Sequence, residues 1–374
     1  MKILHIIPNL KKGGAERLVI NIVRELAKRE NTNVKLLILH DPFEYDISDI
    51  KHLVHHVPAS VKLSIWRKNV IDVDLLQKFM DEFQPDVIHS HLFEAEIVSR
   101  SCYYPKAKWF SHCHSNMEQL ANPSLRVIFS KSMLTNFYER GYLMQRYQIN
   151  SDNIFIAISE STINYIRKVV RKYKATLLPN AIDYEKFSQP MHTVSETLRL
   201  INVGAINRNK NQFFLIEVAH KLKVAKVPFQ LKIIGIGCNM ELLLNRISQL
   251  ELQESVHLIG LSNNVEQELC NADIYVHSAK TEAFGLTQIE AMAAGLPVIT
   301  LDGGGNRDII EEGKNGYMIY EENVEEFVQK IIEVWSDKAL YKSISQFATS
   351  FASKFDISQY VDKLLVIYNE ATKH

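Results

Sequence analysis

The chain has 374 residues, 46% of them apolar and 23% charged, which excludes a disordered chain and implies two domains of roughly 150 to 200 residues each. Basic and acidic side chains number 43 each, so the molecule as a whole offers no electrostatic footprint for nucleic acid. The zero net charge conceals an asymmetry, because residues 1–190 hold 26 Lys and Arg against 20 Asp and Glu while residues 191–374 hold 17 against 23, as expected of two domains with different partners or with mutual attraction.

The opening run Ile3-Leu4-His5-Ile6-Ile7 is stopped by Pro8 and then by Lys11 and Lys12, too short for a secretory apolar region. It reads as a strand over 3–7, followed by a turn at Gly13-Gly14, an amphipathic helix over about 15–28 and a second strand over 34–40, which makes a β-α-β unit. Further strands are expected at Asp86-Val87-Ile88-His89, at Lys108-Trp109-Phe110-Ser111 and over 154–158. Their continuous apolar runs, alternating with helical stretches, predict a parallel sheet covered on both faces. A basic, apolar-interleaved helix is expected over 165–174, where a surface of anionic lipid headgroups is one reading and a solvated helix with its apolar residues in the core is the other. From Leu177 the pattern becomes polar and irregular to about Glu196, the predicted linker.

A second β-α set follows, with strands over 198–203, 230–234, 256–259, 274–277 and 298–300 and helices over 213–224 and after Phe284. The last helical stretch, about 358–371, carries Tyr360, Leu364, Leu365, Ile367 and Tyr368 at near-helical spacing, so it packs on something. The expected domains are 1–185 and 196–350, with 351–374 as a terminal segment. The four cysteines Cys102, Cys113, Cys238 and Cys270 show neither C-x-x-C spacing nor framework density, which fits a reducing cytoplasm. No run of about 18 apolar residues is present to cross a membrane.

The most informative stretch is Thr281-Glu282-Ala283-Phe284-Gly285-Leu286-Thr287-Gln288-Ile289-Glu290-Ala291-Met292-Ala293-Ala294-Gly295. Gly295 and Pro297 end a helix over about 286–294, whose first amides, at Gly285, Leu286 and Thr287, lack intrahelical partners and form an anion site. Glu282 lies in the loop before the helix and Glu290 one turn inside it, where a carboxylate accepts hydrogen bonds from a ribose diol. Two carboxylates bracketing an anion cradle suit a sugar nucleotide, although a lone acidic residue near a helix start is more commonly a dipole partner.

The spacing and setting of Glu282 and Glu290 resemble the paired-glutamate motif of the retaining family 4 glycosyltransferases. The resemblance runs through Gly13-Gly14-Ala15-Glu16, Pro85-Asp86-Val87-Ile88-His89-Ser90-His91, Ser111-His112-Cys113-His114, Pro179-Asn180-Ala181-Ile182-Asp183, Val203-Gly204 with Lys210-Asn211, and Gly303-Gly304 with Asn315-Gly316. It implies an α/β protein of the B-type glycosyltransferase fold (GT-B), two Rossmann-like domains facing a central cleft, with the acceptor on the first, the nucleotide-sugar on the second and the C-terminal helix returning to the first. Carried over by position, Lys210 contacts the donor diphosphate, Glu290 the ribose, and Glu282 the hydroxyls of the transferred sugar, while His114 is the active-site histidine and Gly14 a donor contact. Gly204, Gly235, Asn263, Val265 and Phe284 fall beside the nucleotide. The chain departs from the family at Ala205, where a second diphosphate-binding arginine is usual, and Arg208 is the expected replacement.

Three other motifs are weighed and set aside. Gly235-Ile236-Gly237 lacks the third glycine of a dinucleotide fingerprint, so no nicotinamide cofactor is expected. Asp72-Val73-Asp74 imitates a metal-binding D-x-D but precedes a helical stretch, so helix capping accounts for it. The pairs His89/His91 and His112/His114 each share one strand face, yet no carboxylate completes a zinc set, and no metal is expected. The reading is a retaining, metal-independent transferase without cofactor that moves a sugar from a nucleoside-diphosphate sugar, a UDP-sugar first and a GDP-sugar second, to a glycan, glycolipid or glycoprotein acceptor. It places the protein in the cytoplasm with a peripheral contact at the inner face of the membrane. Its rivals are an epimerase or phosphorylase of the same fold and a non-catalytic partner subunit.

Overall fold

The computed structural model describes residues 1–41, 43–121, 130–150, 153–188 and 194–373. It divides into one unit of Met1–Asn180 with Ile357–His374 and a second of Ala181–Asp356. Residues 189–193 of the expected linker lie outside the described residues.

The first unit contains strands β1 (Lys2–Ile7), β2 (Asn33–Ile38), β3 (Val54–His56), β4 (Ser60–Lys62), β5 (Val70–Asp72), β6 (Val87–His91), β7 (Lys108–Cys113), β8 (Asn153–Ala157) and β9 (Lys174–Leu177). Seven of them form a sheet in the order β3-β2-β1-β6-β7-β8-β9, every pairing parallel; β4 and β5 make a separate antiparallel pair. The strand order reverses between β1 and β6, the place where open parallel sheets bind ligands at their carboxyl ends.

The second unit contains β10 (Leu198–Val203), β11 (Phe229–Ile234), β12 (Val256–Gly260), β13 (Ile274–His277), β14 (Val298–Leu301) and β15 (Gly316–Ile319), in the order β12-β11-β10-β13-β14-β15. All of its pairings are parallel. Its reversal lies between β10 and β13. Each sheet has its own apolar core, built around Leu4, Ile88, Trp109 and Phe155 in the first unit and around Leu200, Ile233, Ile274 and Phe327 in the second.

The C-terminal helix Ile357–Thr372 returns to the first unit, where it packs on the helix Gly14–Ala27. Its apolar spacing is explained there, because Tyr360, Val361, Leu364 and Tyr368 are buried and Tyr368 packs edge-on against Phe110. Arg29 donates to Asp362 at 3.0 Å and to Ser358 Oγ at 2.8 Å, fixing the register of the helix pair.

Two expectations are corrected. The basic helix spans only Glu160–Val169; Lys174 already belongs to β9, and Ile163, Ile166, Val169 and Val170 are buried. Lys174 pairs into the sheet beside Ile154, and that parallel pairing ends the helix before Arg171-Lys172 can extend its charged face. Neither aspartate of Asp72-Val73-Asp74 caps a helix, because Val73 is the N-cap residue and Asp74 is the first helical residue, where its charge complements the helix dipole.

Candidate donor and acceptor sites

In the second unit the loop after β10 carries Lys210 and the loop after β13 carries Glu282, so both come from strands that flank the sheet reversal. Lys210 Nζ lies 2.6 Å from Glu282 Oε2, and His277 Nε2, at the end of β13, lies 3.0 Å from the same oxygen. Backbone bonds hold Glu282 in place, its N–H donating to Gly303 O at 2.7 Å and its carbonyl accepting from Gly305 N–H at 2.8 Å. The Lys210 loop is set by Asn207, whose Oδ1 accepts from Lys210 N–H at 2.9 Å, and by Asn209, whose Nδ2 donates to Thr281 O. The Lys210 stem passes beside Gly204, where a Cβ would stand in ordinary van der Waals contact with it, 3.9 Å from Cδ.

Burial is the largest single influence on Glu282 and opposes its ionisation, but the His277 hydrogen bond and the Lys210 charge together outweigh it and hold the carboxyl well below the usual range. Burial lowers the pKa of His277 against the opposing pull of Glu282, so the imidazole is neutral at pH 7 and donates from Nε2. The group is therefore a fixed carboxylate with one cation and one neutral donor upon it.

The helix Leu286–Ala293 starts at Gly285, whose φ of +104° is a left-handed conformation open to glycine. The amides of Leu286 and Thr287 occupy its first turn. Glu290 is buried one turn further on, and Thr287 Oγ1 accepts from Tyr275 Oη at 2.8 Å. Phe284 does not present its ring to this site: it is buried against Phe355, with ring centroids 5.8 Å apart. Arg208 is exposed and forms no hydrogen bond with Lys210, Glu282 or His277.

The glycine pair after β11 has a steric cause. A Cβ on Gly235 would stand 2.0 Å from Gly204 O, and one on Gly237 would stand 2.0 Å from Ile206 O, so the pair lets the loops after β10 and β11 touch backbone to backbone. Gly235 N–H donates to Gly260 O at 2.8 Å, which brings the β12 end alongside. Asn263 is exposed, and Val265 opens the helix Val265–Cys270 that follows.

In the first unit, Gly13 is the N-cap residue of the helix Gly14–Ala27. A Cβ on Gly13 would stand 2.2 Å from Glu16 Oε2, so the Glu16 carboxylate folds back over this helix start and lies where an anion would approach it. Gly14 is exposed beside it.

The carboxyl ends of β1, β6 and β7 bring together His5, His89, His91, His112 and His114. Strand alternation puts His89, His91 and His112 on one face, whereas Ser90 and Ser111 hydrogen-bond on the other with Glu96, which also pairs with buried Arg100. His5 Nδ1 lies 2.8 Å from His91 Nε2, and His91 Nδ1 lies 3.1 Å from His114 Nε2, a continuous imidazole chain. His89 Nδ1 is bonded to Tyr368 Oη of the C-terminal helix. Burial, with the neighbouring imidazoles adding to it, holds His89, His91 and His114 well below the ordinary histidine value and brings His5 down to about 3. For His112 burial lowers the value to about 3 against an opposing Asn180 side chain. All five rings are neutral at pH 7.

The structure therefore gathers Gly204, Lys210, Glu282, Gly285, Leu286, Thr287 and Glu290 at one end of the second sheet, and His114 at one end of the first. His277 and Gln288 were not anticipated. The adjacency of His277 to a strand end was a usable signal, whereas Gln288, buried with no partner for its amide among the described residues, is legible only once the helix is packed.

Residues 12–186 match the family model for Glycosyltransferase Family 4, and residues 183–351 match the model for glycosyl transferases group 1. The poly(glycerol-phosphate) alpha-glucosyltransferase of Bacillus subtilis is 26% identical over 80% of the chain, which spans only 42% of that protein's length. The UDP-Gal:alpha-D-GlcNAc-diphosphoundecaprenol alpha-1,3-galactosyltransferase of Escherichia coli is 24% identical over 98% of the chain and 96% of its own. In fold, Anabaena Alr3699/HepE, solved in complex with UDP, superposes with a TM-score of 0.79 at 19% identity, covering 99% of this chain and all of that one. With two such models meeting at the boundary between its units and one such fold running its whole length, the chain belongs to the family 4-like glycosyltransferases of the GT-B fold.

Proposed function

We propose that the protein is a retaining, metal-independent glycosyltransferase that moves a hexose-type sugar from UDP to an acceptor hydroxyl of a bacterial glycan or glycolipid. The observation that carries this reading is the convergence of Lys210 and His277 on Glu282, in front of the helix that begins at Gly285. Lys210 and the first-turn amides supply fixed positive charge for a departing diphosphate, the role a metal plays elsewhere. Glu282 accepts hydrogen bonds from the hydroxyls of the transferred sugar, and Glu290 accepts from the ribose. A carboxylate held ionised by two donors is a poor nucleophile, since low basicity and low nucleophilicity go together. This favours same-face substitution, in which the leaving phosphate oxygen takes the acceptor proton and no glycosyl-enzyme forms. His114, kept neutral by burial, hydrogen-bonds a sugar or acceptor hydroxyl rather than offering a cation.

A UDP-sugar donor is supported by the relative that uses UDP-Gal and by the neighbour bound to UDP. A polyprenyl-diphosphate-linked glycan is the acceptor class supported by the same relative, and such an acceptor fits an enzyme that works in the cytoplasm against the membrane's inner face. No helix among the described residues is long and apolar enough to cross a membrane.

The test is transfer from UDP-glucose, UDP-galactose and their N-acetyl forms to diphosphoundecaprenyl glycans in chelator, with the anomeric configuration read by proton NMR. An axial product with undiminished turnover in chelator is expected. An equatorial product overturns retention, and loss of activity in chelator overturns metal independence. Donor turnover without acceptor indicates an epimerase, and dependence on inorganic phosphate indicates a phosphorylase.

A further inference from the structure

The histidine nest of the first unit contains more imidazole than one hydrogen bond to a substrate uses. Two overlapping triads, His5/His89/His91 and His91/His112/His114, each have ligand atoms within 4.8 Å of one another. Buried polar atoms ordinarily find partners, yet His114 Nδ1 has none among the described residues, and His112 has only the Asn180 side chain beside its ring, without a well-formed hydrogen bond.

We propose that His91, His112 and His114 form a binding site for a zinc-class divalent transition metal, with a fourth position open to water or an anion. Two imidazole nitrogens on a tetrahedral zinc are roughly 3.3 Å apart, close to the 3.1 Å between His91 Nδ1 and His114 Nε2. The protons can be placed so that three ring nitrogens face an ion, at the cost of the hydrogen bond between His91 and His114. If His91 carries its proton on Nε2 and donates it to His5 Nδ1 at 2.8 Å, its Nδ1 lone pair is free for the metal. His114, protonated on Nδ1, offers Nε2, and His112 offers the nitrogen that the Asn180 side chain does not engage. His5 then stands as the acceptor that orients a ligating histidine, the usual outer partner of such a site.

Access favours this triad over the other. His5, His89 and His91 are fully buried, and His89 Nδ1 is occupied by Tyr368, whereas His114 is half-buried at the sheet end. The rings of His112 and His114 are stacked at 4.2 Å with an interplanar angle of 13°, and an ion lies in the plane of each ring it binds. One ring therefore tilts on binding, and His114 is the less buried of the two. Leu92, directly after His91, is held at a φ of +68°, a strained conformation that persists where the surroundings impose it. The absence of a carboxylate, which argued against a metal at the level of sequence, is no obstacle to a three-histidine site.

The inference does not depend on the donor chemistry. The experiment uses the full chain without a polyhistidine tag, freed of metal by chelator, and titrates cobalt(II) and then zinc(II) while recording visible absorption and the thermal midpoint. Expected are one equivalent of cobalt with ligand-field bands of tetrahedral intensity, displacement of it by zinc, and a raised midpoint with zinc. His112→Gln and His114→Gln weaken binding by about 10-fold or more, while His89→Gln retains it. Absence of tetrahedral cobalt bands in the wild-type protein overturns the proposal, and no variant has to fold for that result. Loss of binding in folded His89→Gln with retention in His112→Gln overturns the assignment. UDP binding, measured in the same samples, fails or succeeds separately and reports on the donor reading alone.

Discussion

Lys210 Nζ lies 2.6 Å from Glu282 Oε2 although 72 residues separate them in the chain. The two side chains are 26% and 13% exposed, so the pair is well shielded and its coupling exceeds that of a surface ion pair. A double-mutant cycle of Lys210→Ala and Glu282→Gln, read by chemical denaturation, is expected to give a coupling of about 1–3 kcal/mol. Each single variant should lower transfer by about 10²–10³-fold. Additive effects on stability would show that the two side chains do not act together.

His277 and Glu282 make the stability of the second unit acid-sensitive in two windows. Burial first, with the Lys210 charge adding, lowers the pKa of His277 below 6.5 despite Glu282, so the unfolded chain takes up a proton there before the folded one does. Stability present above pH 6.5 is lost as pH falls below it, with a slope of at most about 1.4 kcal/mol per pH unit. Glu282, lowered by His277 and Lys210 against burial, adds a second loss of the same sign below about pH 4.5. Denaturation midpoints of wild type and His277→Gln between pH 7 and 5 check the first window. The variant should show the shallower dependence.

Gly235 and Gly260 separate steric need from conformational need. Gly235, at φ +144°, has Gly204 O 2.0 Å from where a Cβ would stand, whereas Gly260, at φ +78°, has nothing within 4 Å. Gly235→Ala is expected to destabilise by about 2–5 kcal/mol, and Gly260→Ala by about 1–2 kcal/mol. Equal costs, measured as shifts in unfolding midpoint, would mean that the loops after β10 and β11 do not meet as described.

Phe284 lies inside the glutamate motif but acts on stability. Phe284→Ala removes a buried ring packed on Phe355 and should cost about 3–5 kcal/mol. Phe284→Leu, which keeps most of the apolar volume, should leave nucleotide affinity unchanged in calorimetry. A loss of affinity in folded Phe284→Leu would place the ring in the donor site.

Both parallel sheets were legible because their strands, buried on two faces, are continuous apolar runs such as Ile3 to Ile7 and Val298 to Thr300. The edge strands β3 and β9 were not, since their residues His55 and Lys174 are only partly covered or exposed, and β15 was not because its buried run Gly316–Ile319 is short and opens on a glycine. The helix at Leu286 and the loop lysine at 210 followed from glycine, proline and strand-end signals. What spacing does not carry is convergence. That His277 shares an oxygen with Lys210, or that His5 joins histidines from two other strands, depends on strand order, and strand order is set by packing far along the chain. The steric need for glycine in Gly235-Ile236-Gly237 was hidden for the same reason, since it comes from the backbones of Gly204 and Ile206 on the neighbouring loop.

The central claim is that the second unit binds a nucleoside diphosphate through Lys210, Glu290 and the helix start at Gly285. Calorimetric titration of UDP, GDP and ADP in chelator into wild type, Lys210→Ala and Glu290→Ala tests it most directly. The account predicts that UDP binds at one site per chain and that each substitution weakens it by about 10-fold or more. Failure of every nucleotide to bind the folded wild-type protein, or a UDP affinity indifferent to both substitutions, would contradict it.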